Sequence, residues 1–328
     1  MWKVLPCGDE SEMSIKIDRV KEYETILEIY EKEGLDTSLF GDRIATIIIS
    51  GDRIIGLNNI PGVEIRGEEI EDGVRAYVEI ADGTELHFPI HLCTGFLKNE
   101  GYQRVIFDIT VGRNSKVKFT SHCIFPYAKN FTHEAIARIK VGERSSVFYE
   151  DEHIHGEGVR MVGKTEVEVG KNGRYTGKFS LTKHRARELK LEMSARLGNN
   201  AVAELVSKVK AVKDDSVEMK EAIYLEGAHS RGNLKSTVIA FDNSRVNVVN
   251  EAYGFGDYSK GHVECHEIVK GNADVQTVPL LRVKNDRAEL THEASIGRIN
   301  EAQLVQLMAK GLTEDEAAEF IIKGLLRE

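Results

Sequence analysis

The chain has 328 residues, and its 44 Lys and Arg against 53 Asp and Glu give a net charge of −9 with 30% of residues charged. That acid excess argues against a protein whose main partner is nucleic acid. The length suits one elongated body with terminal appendages, or two domains. The N-terminus turns acidic before an apolar signal segment forms, and the longest apolar run, 44–49, is far too short to cross a bilayer, so a cytoplasmic protein without a membrane partner is expected.

In chain order the first element is a helix over 15–30, where Ile15, Val20, Tyr23, Ile26, Leu27 and Tyr30 fall near one stripe and Gly34 stops it. Residues 44–95 read as strands, with NNIPG and EIADGTEL as turns, so 1–104 is expected to form an α+β cap. From 105 onward short β-rich runs alternate with small-residue turns. Four of them align on one template: DITVGRNSKVKF, RIKVGERSSVFY, EVEVGKNGRYTG and SARLGNNAVAEL. Their glycines, Gly112, Gly142, Gly170 and Gly198, are followed by Gly227. The step is about 28 residues. Farther on Asn243, Asp257, Gly271 and Asn285 recur at half that step.

A two-part coil of this period predicts a mainly β fold, a right-handed parallel β-helix over 105–298, with Gly or Asn taking a left-handed corner at each turn. A β-sandwich would place turn signals every 8–12 residues and is disfavoured. Residues 299–328 read as a helical hairpin. Gly311 separates its halves, Thr313 with Glu316 forms a capping box, and apolar stripes run through Leu304, Leu307 and Met308 and through Ala317, Phe320, Ile321 and Leu325.

The four cysteines, Cys7, Cys93, Cys123 and Cys265, are scattered with no CxxC pair, so neither a disulfide framework nor a zinc knuckle is signalled. Cys123 adjoins His122, and Cys93 lies near His87 and His91; packing and a relay of iron or sulfur both remain open for them. His153 and His155 share a strand face by their period of two, an arrangement compatible with a divalent metal. No GxxxxGK[ST] motif occurs, so any nucleotide chemistry must come from a partner, and an enzyme is not expected.

From Gly227 onward the sequence resembles the SufB/SufD proteins of iron-sulfur cluster assembly. The segments HVECHEIVKGNA, LLRVKNDRAELTHEASIGRI and EAQLVQLMAKGLTEDEAAEFIIKGLL carry the resemblance, and residues 105–226 match more loosely. Within that family the B-type chains have a cysteine on the strand before the HEA element and a glutamate inside it. D-type chains lack the cysteine and read HGA. Cys265 with His292, Glu293 and Ala294 is B-like, although the Cys265-to-Glu293 spacing of 28 is one short and the chain lacks most of the bacterial N-terminal region, which suits a compact, archaeal-type form.

The resemblance implies a scaffold for a transient [2Fe-2S] or [4Fe-4S] cluster, apo iron-sulfur proteins as acceptors, and a SufC-like ABC ATPase docked through Leu304, Leu307, Met308, Phe320 and Ile321. It also implies pairing, here as a homodimer. Cys265, Glu293 and His292 are the expected cluster ligands, and Glu264, His266 and His262 further metal-binding candidates. A step of 28 would stack Cys265 on Glu293 at about 4.8 Å, and Glu264 on His292 on the opposite pleat face. The alternative is a structural adaptor of the same complex that holds no cluster. A carbohydrate-active solenoid would need clustered acids and normally a secretion signal.

Overall fold

The computed structural model describes residues 10–185, 187–299 and 301–326. Cys7 and the side chains of Ile15 and Leu325 lie outside the described residues. Helix α1 (Glu10–Glu33) is followed by β1 (Thr46–Ser50), β2 (Arg53–Asn58), β3 (Val63–Ile70), β4 (Gly73–Ile80) and β5 (Ile90–Gly95). The regular part comprises β6 (Glu100–Val111), β7 (Lys116–Phe125), β8 (Asn130–Val141), β9 (Ser146–His155), β10 (Val159–Val169), β11 (Arg174–Leu181) and β12 (Glu188–Leu197). It continues through β13 (Val202–Ala211), β14 (Ser216–Leu225), β15 (Arg231–Ala240), β16 (Arg245–Gly254), β17 (Lys260–Val269), β18 (Asp274–Val283) and β19 (Glu289–Gly297). Helices α2 (Glu301–Met308) and α3 (Glu314–Leu326) close the chain.

The strands alternate between two sheets, ordered β19-β17-β15-β13-β11-β9-β7-β5-β1-β2 and β18-β16-β14-β12-β10-β8-β6-β4-β3. From β4 and β5 onward each strand pairs in parallel with the one two places later, which makes a β-solenoid of about eight turns. The first parallel coils therefore contain residues before 105. The pairs β1–β2 and β3–β4 are antiparallel hairpins at the N-terminal end.

Period-two alternation sends one side chain in two into the space between the sheets. There Val, Ile, Leu, Phe and Ala form a continuous core from Ala45 to Cys265. Outside the solenoid, Ile26 and Tyr30 of α1 pack with Phe40, Ile48, Cys93, Ile124 and Ile154 in a second apolar cluster.

Gly271 takes a left-handed corner as expected, with φ of 84°, but the ladder glycines from Gly112 to Gly227 have a different cause. The left-handed residue lies two places later, at Asn114, Arg144, Asn172, Asn200 and His229, each with φ between 54° and 58°. Gly227 is instead required by close approach: a Cβ there would sit 2.1 Å from the carbonyl carbon of Gly198 on the preceding coil. The glycine ladder marks where one corner's backbone rests on the last.

The hairpin of α2 and α3 is capped as the sequence predicts. The Glu316 N–H donates to Thr313 Oγ1 at 3.3 Å and the Thr313 N–H donates to Glu316 Oε2 at 2.8 Å.

Candidate functional site

Strands β17 and β19 bring the candidate ligands to the C-terminal end of the solenoid, in a register that overturns the expected stack. The coil step is 28 residues between β10 and β12, where Arg160 faces Glu188, but 29 between β17 and β19. Cys265 therefore pairs with Ala294, Glu264 with Glu293, and Val263 with His292. A one-residue change of register moves a whole strand's side chains to the other face. Cys265 and His292 consequently share the inward row, one pleat repeat apart on neighbouring strands. Glu293 belongs to the outer face and does not stack on the thiol.

The outer face carries its own cluster. Glu264 and Glu293 lie in register at the strand spacing of about 4.8 Å. Lys235 Nζ, 3.1 Å from Glu264 Oε1, offsets part of their mutual repulsion. His262 and His266 flank Glu264 along the strand. His262 Nδ1 lies 2.8 Å from Thr291 Oγ1 and His266 Nδ1 lies 2.6 Å from Ser295 Oγ, which leaves Nε2 of each ring as its remaining ligand atom. Two carboxylates between two imidazoles make a surface able to gather a divalent transition ion.

Inward, the Cys265 thiol is fully buried among polar groups that the sequence reading missed. Asn250 Nδ2 donates to Cys265 Sγ at 3.1 Å and to Ser236 Oγ at 2.9 Å. Burial pushes the Cys265 thiol up, against the opposing pull of the Asn250 amide and the Thr277 and Ser236 hydroxyls. Ser207, Ser236 and Cys265 form one file in register, and Glu221 and Asn250 form another on the facing sheet.

Two acids complete this polar column. Burial raises Glu221 from the ordinary glutamate value of 4.5 to about 8 and Glu267 to about 7, with only the Ser207 and Thr277 hydroxyls opposing. At neutral pH Glu221 is largely neutral and Glu267 about half ionised, and neither carboxyl makes a well-formed hydrogen bond. The signal for Glu221 is the recurrence of polar residues at inward positions 29 apart, shared by Asn250 and by the file of Ser207, Ser236 and Cys265, and legible only once the register is known.

The last coil is open. Val278, Leu280, Val283 and Ile296 are exposed large apolar side chains on β18 and β19, the terminal strands of the two sheets. Beyond them Val305, Met308 and Phe320 are 62%, 41% and 63% exposed, Leu304, Leu307 and Ile321 are half-buried, and Ala317, Ala318 and Ile322 are buried.

The remaining cysteines lie at the other end. Cys93 is outward under α1, where the Tyr30 hydroxyl lies 2.7 Å from His91 Nε2 and 2.9 Å from His122 Nδ1. Cys123 points inward, away from its neighbour His122, and His87 is exposed. No described helix is long and apolar enough to cross a membrane.

Residues 98–325 match the family model for the SufBD core domain of SUF-system FeS cluster assembly. The chain is 76% identical to an iron-sulfur cluster assembly SufBD family protein of Pyrococcus horikoshii, over 98% of both chains. It is 35% identical to one of Methanocaldococcus jannaschii over 96% of this chain and 99% of that one. A Methanothermobacter thermautotrophicus relative is 25% identical over 76% of this chain and 62% of its own length.

Proposed function

Because the chain belongs to the SufBD family of iron-sulfur cluster assembly proteins, we propose that it is a cytoplasmic, non-enzymatic scaffold on which a nascent cluster is held at the C-terminal coil through Cys265. The observation that carries this reading is the position of Cys265. It is the cysteine of the coil next to the open end, and His292 continues its inward row on the terminal strand. A thiolate is the ligand that iron-sulfur chemistry demands, and imidazole and carboxylate make a mixed set suited to a cluster that must be passed on.

In this reading the cluster is cargo. The outer carboxylates Glu264 and Glu293, with His262 and His266, collect iron, and Cys265 gives up its proton when metal arrives. Because Glu293 and Cys265 face opposite sides of their sheet, one chain cannot close the ligand set on its own. Two copies meeting through the exposed β18 and β19 edges would supply His292 and Glu293 across the interface, so the active unit is a homodimer. Apo iron-sulfur proteins then receive the cluster.

The helical hairpin, with Phe320 and Met308 exposed beside Leu304, Leu307 and Ile321, docks a SufC-like ABC ATPase. The given sequence has no GxxxxGK[ST] motif, which fits that division of labour.

The complete burial of Cys265 favours the second reading, an adaptor that positions the ATPase and never holds iron. Anaerobic reconstitution separates the two. The scaffold reading expects stoichiometric iron and sulfide with visible absorption, abolished by Cys265→Ser and weakened by Glu293→Ala or His292→Ala. A folded Cys265→Ser protein with full iron and sulfide would sink it.

A further inference from the structure

Half a solenoid away from Cys265, the inward positions of β7, β8 and β9 gather a second set of metal-binding side chains that the proposed function does not use. Cys123 and His153 are directly in register, and Asp151 pairs with Ser121. One ligand atom from each of Cys123, Asp151 and His153 lies within 4.8 Å of the other two. From the facing sheet His133 brings Nε2 to 3.7 Å from Cys123 Sγ. Cys123, Asp151 and His133 border an interior cavity of about 40 Å³, walled by Tyr149, Tyr175 and Phe179, which is room for one ion or water.

We infer that this chamber binds one structural divalent transition ion, zinc by its chemistry, through Cys123, Asp151 and His153, with His133 as the fourth ligand. The first argument is the unmet demand for hydrogen bonds. His153 is essentially fully buried, yet its Nε2 and Asp151 Oδ1 have no hydrogen-bond partner. Buried polar groups are nearly always satisfied, and each orphan is destabilising. His153 Nε2 stands 3.1 Å from Asp151 Oδ2, off the line of a hydrogen bond. Two ligand atoms converging without a proton aligned between them suit a cation.

The second argument is charge. On binding, the Cys123 thiol gives up its proton. One thiolate and one carboxylate then neutralise a divalent ion, removing the cost of a net charge in a closed chamber.

The third argument is positioning. His155 Nε2 lies 3.2 Å from His153 Nδ1, which engages that ring nitrogen and leaves His153 Nε2 as the ligand atom. Sulfur, nitrogen and oxygen donors around one small cavity favour a tetrahedral ion of borderline softness over calcium or magnesium. Ligands bonded at about 2.0–2.3 Å stand some 3.5 Å apart, so side-chain shifts of about 1 Å close the set. Such an ion ties β7 and β9 of one sheet to β8 of the other, a function separate from cluster assembly.

The test uses the full chain carrying Cys265→Ser, so that the cluster site contributes no thiolate. Anaerobic titration of this protein with Co²⁺ should saturate at one equivalent with a thiolate-to-cobalt charge-transfer band. That band should vanish on adding Cys123→Ser, and the apparent affinity should fall at least tenfold with Asp151→Asn. Absence of the band, or a band of equal strength in the Cys123→Ser protein, would overturn the inference. Should those variants fail to fold, zinc-edge X-ray absorption on the Zn²⁺-loaded Cys265→Ser protein decides: one sulfur with nitrogen and oxygen neighbours supports the site, and a shell without sulfur refutes it.

Discussion

Replacing Glu221 by Gln should stabilise the protein, by an amount that grows with pH. The carboxyl sits inside the solenoid without a well-formed hydrogen bond, and burial raises it from 4.5 to about 8. A carboxyl whose folded value is raised contributes its full stability below pH 4.5. That contribution is lost as pH rises toward 8, because the unfolded chain ionises freely while the folded one cannot. At 1.36 kcal/mol for each pH unit, the loss is about 3 kcal/mol at pH 7 and about 5 kcal/mol at pH 8 and above.

Glutamine fills the same volume, donates toward Ser207 and does not titrate. Urea unfolding followed by circular dichroism from pH 4.5 to 9 should show wild type and Glu221→Gln similar at the acid end and diverging up to pH 8. Glu267 titrates in both proteins and cancels from the difference. A difference that stays constant across that range would refute the reasoning, since it would mean that Glu221 ionises alike in the folded and unfolded chains.

Gly227→Ala should cost about 2 kcal/mol or more, because the added Cβ would lie 2.1 Å from Gly198 backbone. Gly324→Ala on α3, where nothing lies within 4 Å, should instead stabilise the helix by several tenths of a kcal/mol; the midpoints of urea unfolding check both. Leu307→Glu or Phe320→Glu should abolish co-purification of the ATPase and leave the circular dichroism of the solenoid unchanged. A complex that survives both places the docking surface elsewhere. Light scattering should report a dimer at micromolar concentration, and Ile296→Asp on the exposed edge should return it to a monomer.

Period and pattern carried much of this protein in its sequence. Alternating apolar residues at a step near 28 specify parallel coils, and Gly34, Gly311 and the Thr313–Glu316 box mark helix boundaries that the structure keeps. The elements at the C-terminal end were legible too, because Cys265, His292 and Glu293 lie on strands that the pattern marks. What the sequence did not determine was which residues meet.

Corner length sets the register, and the corners vary: the step is 30 where Cys123 meets His153, 28 where Arg160 meets Glu188 and 29 where Glu264 meets Glu293. A single residue in a corner exchanges the inner and outer faces of the next strand relative to a fixed period. That is why Glu293 left the side of Cys265. It is also why the file of Ser207, Ser236 and Cys265 stayed invisible among ordinary polar residues. The chamber of Cys123, His133, Asp151 and His153 draws on both sheets, and no spacing along one chain encodes contact across the solenoid's interior. Only the closed coil, with its two faces brought within side-chain reach, decides that.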